Sequence, residues 1–182
     1  MNPRANKSGN AMIEFTLVGI PLIFVLLVTF ETARGMWLYA TVAHAVRAGA
    51  RYAVVHGKDC STPPNNCPVT VADVARVIRD AGVGLDPADF RLALVATGPR
   101  TVPATTLRPL TALLNDTSVF PSGTASVAGN DVIVSGVFHF RTALTALFAP
   151  PITPPPPPPP LGDGSDAGVI HLAATSRERI EF

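Results

Sequence analysis

Charge is scarce in this 182-residue chain. Only 15% of its residues are charged and its formal net charge is +1, which excludes the electrostatic grip that nucleic-acid binding needs. No basic stripe with interleaved aromatics appears, and lysine occurs only as Lys7 and Lys58. Cysteine is limited to Cys60 and Cys67. Two thiolates fall short of a structural zinc site, and the histidines at 44, 56, 139 and 171 show no ligand spacing. His44 has Ala48, not a second ligand, one turn further on. No paired carboxylates, Ser-His-Asp set or phosphate-binding glycine loop occurs with supporting context. "GDGSDAG", Gly162 to Gly168, lacks the spacing and the glutamate of an EF-hand and reads as a flexible turn. The sequence therefore offers no catalytic residue, no metal site, no cofactor and no small-molecule substrate.

What is present is apolar. Hydrophobic residues make up 47% of the chain, too many for a disordered or purely solubilising segment. Phe15 to Phe30 runs 16 residues without a charge. A spanning helix needs about 20, so this run must borrow at its ends. Met12 and Ile13 extend it backward if Glu14 is accommodated. Forward, Glu31 and Arg34 lie three apart and share a helix face near the headgroups. An ionised carboxylate inside a bilayer costs roughly 2.5–3.5 kcal/mol on insertion scales, so Glu14 needs a reason.

A cleaved secretory signal and an uncleaved anchor are the two plain readings of this segment. No A-x-A-like site follows the apolar run, and the chain continues as "ETARGMWLYATVAHAVRAGARYAVV". That stretch is alanine-rich and free of proline, hence more helix. His44, Arg47 and Arg51 share one stripe, with Thr41 and Arg34 close to it. Leu38, Val42, Ala45 and Ala53 cover the wider apolar face. One helix from about Ala11 to Val55 would be roughly 65–70 Å long, half in lipid and half projecting outward. Pro21 removes one backbone bond from the lipid half and tends to kink it. Arg4 and Lys7 precede the span and favour a cytoplasmic N-terminus, with Arg34 opposing them from the other side; a short N-terminal tail and a long C-terminal domain fit the same orientation, which leaves the bulk of the chain outside the inner membrane.

The block Ser8 to Val55 resembles the TadE-like (TadE/TadG) pseudopilins of the tight-adherence, or Flp-type, pilus system. The matching features are Gly9, the pair Glu14-Phe15, Pro21 in an apolar run, and the element Gly49-Ala50-Arg51-Tyr52 closing an alanine-rich helix. The C-terminal "LAATSRERIEF" is similar to the family's closing strand. The resemblance implies processing by a prepilin peptidase after Gly9, with Asn10 as the first mature residue and Glu14 as the fifth. Loss of nine residues leaves 173 of the 182 and removes Arg4 and Lys7, taking the formal charge from +1 to −1. Glu14 would then pair with the new α-amine of Asn10, on its own or a neighbouring subunit. Asn10 stands where better-known pilins carry phenylalanine, and "FTLV" follows the glutamate here. Both features argue against a type IVa pilin or a type II secretion pseudopilin.

The rest of the chain reads as an extracytoplasmic α+β domain. The expected organisation is a leader over 1–9, a membrane helix over 10–33, an amphipathic extension over 34–56, and the domain over 57–182. "CSTPPNNC" is a turn-rich loop, and an extracytoplasmic setting makes Cys60–Cys67 a disulfide worth roughly 2–3 kcal/mol in the loop-entropy account. "TVADVARVIRDAG" predicts a short helix with Thr70 and Asp73 as a capping box, Val71, Val74, Ala75 and Ile78 on its inner face, and Gly82 at its end. Period-2 alternation predicts strands in "DFRLALVATG", in "NDVIVSGVFHF" and from about Val169. Three strands on the outer half of the long helix make a small antiparallel, pilin-like α+β unit. Gly98 to Asn130 reads mostly as loop, with one helical turn at "LTALLN". Thr142 to Pro150 reads as a short helix.

Of 19 prolines, seven form the run Pro154 to Pro160, which adopts extended polyproline II and cannot join a core. The Pro-rich stretch 150–168 reads as an exposed spacer. The expected role is a non-enzymatic pilus-biogenesis component for surface adhesion. Its partners would be the membrane, a prepilin peptidase, other pilins or pseudopilins, and Tad assembly proteins. The alternative is a membrane-anchored extracytoplasmic binding module unrelated to pili. A periplasmic enzyme has no residues in its favour.

Overall fold

The computed structural model describes residues 8–56, 69–97, 106–122, 129–142 and 169–180. The chain divides into two compact units, Met1–Met36 and Trp37–Phe182. Helix α1, Ser8–Val55, contributes to both and continues through Pro21. At 1.5 Å per residue its 48 residues extend about 72 Å.

Within the second unit, α1 presents the face that its periodicity predicts. Leu38, Val42, Ala45, Val46, Ala50 and Ala53 are buried, while His44, Arg47 and Arg51 are exposed. Helix α2, Val71–Ala81, buries Val71, Ala72, Val74, Ala75 and Ile78. Its start follows the predicted capping box: the Asp73 backbone N–H donates to Thr70 Oγ1 at 3.2 Å, and the Thr70 N–H donates to Asp73 Oδ2 at 3.1 Å. The first free helix donors find other partners, since the Val71 and Ala72 N–H groups donate to the Ser118 and Asp116 carbonyls at 2.8 and 2.9 Å. Gly82 stops the helix without entering the left-handed region. Its φ is −89°, and its N–H turns back to the Arg79 carbonyl.

The sheet is antiparallel with order β2-β1-β3-β4. Its strands are β1 Phe90–Thr97, β2 Arg108–Pro109, β3 Asp131–Arg141 and β4 Val169–Arg179. Three of these are the predicted strands. The fourth, β2, falls in the stretch read as loop: two residues carry no periodicity, and Pro109 lacks the donor that an inner strand needs. Helix α3, Leu110–Leu113, is the predicted helical turn. In β3 the inward column is Val132, Val134, Gly136, Phe138 and Phe140, all buried, as the alternation requires.

The core joins α1, α2 and the sheet through two close approaches. A Cβ on Gly49 of α1 would stand 2.3 Å from Ile78 Cγ1 of α2. A Cβ on Gly136 of β3 would stand 2.7 Å from Val46 Cγ2 of α1 and 3.0 Å from the Phe90 ring. Both glycines are there because nothing larger fits. The described residues are thus α+β: a long N-terminal helix whose C-terminal part packs with a short helix on a small antiparallel sheet.

Candidate membrane and assembly segment

Among the described residues, Ala11–Val55 is the one helix long and apolar enough to cross a membrane. Met12, Phe15, Leu17, Val18, Ile20, Leu22, Ile23, Val25, Leu26 and Phe30 are all exposed on it. Apolar side chains on every side of a helix require an apolar surrounding. The polar groups in the run are satisfied locally. Thr16 Oγ1 donates to the Met12 and Ile13 carbonyls at 3.1 and 2.9 Å, Thr29 to Val25 at 2.8 Å, and Thr32 to Val28 at 2.8 Å. Each threonine so bonded brings no unpaired hydroxyl into hydrocarbon.

Charges mark the ends of the run. Glu31 is only 8% exposed and pairs with Arg34 at 3.4 Å, the i,i+3 pair that the spacing predicts. Pairing lowers the cost of holding that carboxylate near lipid. At the other end Glu14 is exposed, one turn after Asn10 on the same helix. Gly9 and Asn10 lie in the first turn of α1. Residues four apart on a helix share a face, so an amine at Asn10 would be within reach of the Glu14 carboxylate. Phe15 is exposed beside it, and Pro21 sits inside the apolar run.

The second motif lies in the packed unit. Gly49 and Ala50 are buried, Arg51 is exposed, and the half-buried Tyr52 ring stacks on His56 with centroids 4.3 Å apart. Gly49 seats α2 against α1, so this element fixes packing and not chemistry. Cys60 and Cys67, the helix read at Thr142 to Pro150, and the proline run lie outside the described residues, Thr142 excepted.

The fold brings together two histidines that sequence spacing does not connect. His139 and His171 are register partners on β3 and β4, with rings edge-to-face at 4.9 Å. Among the described residues no group of three or more His, Cys, Asp or Glu could hold a metal. The ionic features of the sheet and its flanks are structural. Asp131, buried at the start of β3, accepts from Arg177 Nε at 2.9 Å and also from Arg177 Nη2. Arg177, helped by Arg179, holds its carboxyl below the usual range. Asp116 accepts from Ser118 and from Arg108 Nη1 of β2, both at 2.5 Å, which lowers its pKa to about 2.

These features define a protein with a single-pass membrane anchor that continues as the first helix of a packed α+β unit. Residues 9–51, which are 43 of the 182, match the family model described as TadE-like protein. The match points to a component associated with the Tad pilus. No curated protein and no solved structure matches the chain.

Proposed function

We propose that this chain is a TadE-like minor pilin or pseudopilin, a non-enzymatic component of the inner membrane that serves biogenesis of tight-adherence pili. The observation that carries the reading is the join of an apolar, outward-facing helix to a TadE-like match that begins at Gly9. Glu14 falls inside that match, five residues after Gly9. On this reading a prepilin peptidase cuts after Gly9, and the new amine of Asn10 neutralises Glu14 in the bilayer. The N-terminus starts in the cytoplasm and the packed unit lies outside. Cys60 and Cys67 form a disulfide there. Other pilins and Tad assembly proteins are the partners, and surface adhesion is the outcome.

The test is complementation of a strain that lacks this chain. The native chain should restore surface pili, and Glu14→Ala should reach the membrane and be cut yet leave piliation impaired. Normal piliation by Glu14→Ala would remove the role given to that carboxylate.

A further inference from the structure

Antiparallel pairing sets two histidines side by side near one end of β3 and β4. The His139 N–H donates to the Asp89 carbonyl at 3.1 Å. A residue in an antiparallel strand directs its N–H and C=O to the same side, so at His139 both point toward β1 and away from β4. His139 and its register partner His171 therefore form a non-hydrogen-bonded pair, the kind in which facing side chains come closest. Four residues along the same face, Ser135 and Thr175 repeat this close spacing, with hydroxyl oxygens 3.1 Å apart. Alternation puts all four side chains on the face opposite the buried column of β3. His139 is half-buried and His171 exposed, so solutes can reach the pair.

The two ring centres stand 4.9 Å apart, with their planes at 84°. Imidazole nitrogen suits the late transition-metal ions. An ion bonded at about 2.0–2.1 Å to one nitrogen of each ring lies about 3.2 Å from each ring centre. Those centres are then about 4.5 Å apart for a right angle at the ion and about 5.2 Å apart for a tetrahedral one. The observed spacing falls between the two. Aiming a nitrogen of each ring at that point needs only rotation about χ2, a broad torsion, which leaves the ring centre nearly in place. Asp89 continues the row on the β1 side of His139, and its carboxylate lies 3.7 Å from the Arg141 guanidinium. That pairing offsets the positive charge two residues along from His139, which favours a cation beside the rings.

We infer that His139 and His171 form a two-imidazole site for a divalent late transition-metal ion, held most tightly as copper(II), with water in its remaining positions. Among the described strands β4 lies at the edge of the sheet and pairs only with β3. A bound ion therefore adds a side-chain clip to the backbone ladder that holds β4. The site lies wholly within the packed unit and stands independently of the pilus reading.

The full chain in detergent, titrated with copper(II), nickel(II) or zinc(II) chloride, tests this. Tm should rise with metal concentration, because the ion binds the folded pair, and copper(II) should act at the lowest concentration. The electron paramagnetic resonance spectrum of bound copper(II) should show two imidazole nitrogens in the native chain and one in His139→Ala or His171→Ala. Each single variant should bind about tenfold more weakly or worse, since two ligands on one frame reinforce each other. A His44→Ala, His56→Ala variant should bind as the native chain does. His171 is exposed, so His171→Ala keeps the test sound if His139→Ala fails to fold. A native Tm unmoved by all three ions would overturn the site and leave the rings as a cross-strand packing pair. So would copper(II) binding by His171→Ala with unchanged affinity and nitrogen count.

Discussion

Gly49→Ala is the most informative single change in the packed unit. The added methyl would meet Ile78 Cγ1 at 2.3 Å and Cδ1 at 2.6 Å, with Val74 Cγ1 at 3.6 Å. Ile78 is fully buried and branched at Cβ, so it has little freedom to step aside. Overpacking of this kind costs about 1–3 kcal/mol. Replacing glycine within a helix returns about 0.5–1 kcal/mol. The net expectation is a loss of up to about 2.5 kcal/mol, or up to about 10 °C in Tm for a chain of this size. In an Ile78→Ala background the obstacle is gone, and the same substitution should stabilise by about 0.5–1 kcal/mol. Ile78→Ala alone costs about 2–5 kcal/mol, within the stability of an ordinary domain. The assay is denaturant unfolding of the four proteins in detergent, read by Trp37 fluorescence, because far-UV signal is dominated by the long helix. The double-mutant cycle should give a coupling of about 1–3 kcal/mol with a change of sign. Equal stabilisation by Gly49→Ala in both backgrounds would refute the close approach of α1 to α2.

Two further outcomes concern the flanks of the core. Thr70→Ala removes the capping box and should cost about 1 kcal/mol, seen as a Tm lower by about 2–4 °C. Acid should destabilise the packed unit through its carboxylates. Asp116, lowered from 3.8 to about 2 by Ser118 and Arg108, favours the folded state above pH 3.8, and that contribution is lost as pH falls toward about 2. Asp131 and Asp73 are shifted in the same direction, by Arg177 and by Thr70 first. Thermal scans across that window should show falling Tm, and Asp116→Asn should flatten the decline; a Tm that rises with acid would contradict the assignment.

Periodicity made the helices and three strands legible. The buried column of β3 and the cap of α2 follow from residues a few positions apart, where steric and hydrogen-bonding rules act locally. Glu31–Arg34 was legible for the same reason. The sheet order was not, because strand pairing joins residues up to tens of positions apart; His139 and His171 meet only through the β3–β4 register. Nor was β2, whose two residues have no period to detect. Gly49 stood out as part of a motif, but its reason, the body of Ile78, appears only when α2 is folded against α1. Nothing in the sequence relates Trp37 to Gly84, and only the folded turn between α2 and β1 brings them into contact. In the N-terminal segment the apolar run, Glu14 and the glycine spacing were all readable, since a membrane helix is specified by composition and length.

Processing at Gly9 is central to the proposed role, and the mass of the chain tests it most directly. Co-expressed with a prepilin peptidase, the protein should lose Met1 to Gly9 and begin at Asn10, leaving 173 residues, while Gly9→Val should keep its full mass. A native chain that retains Met1 to Gly9 beside an active peptidase would contradict the account.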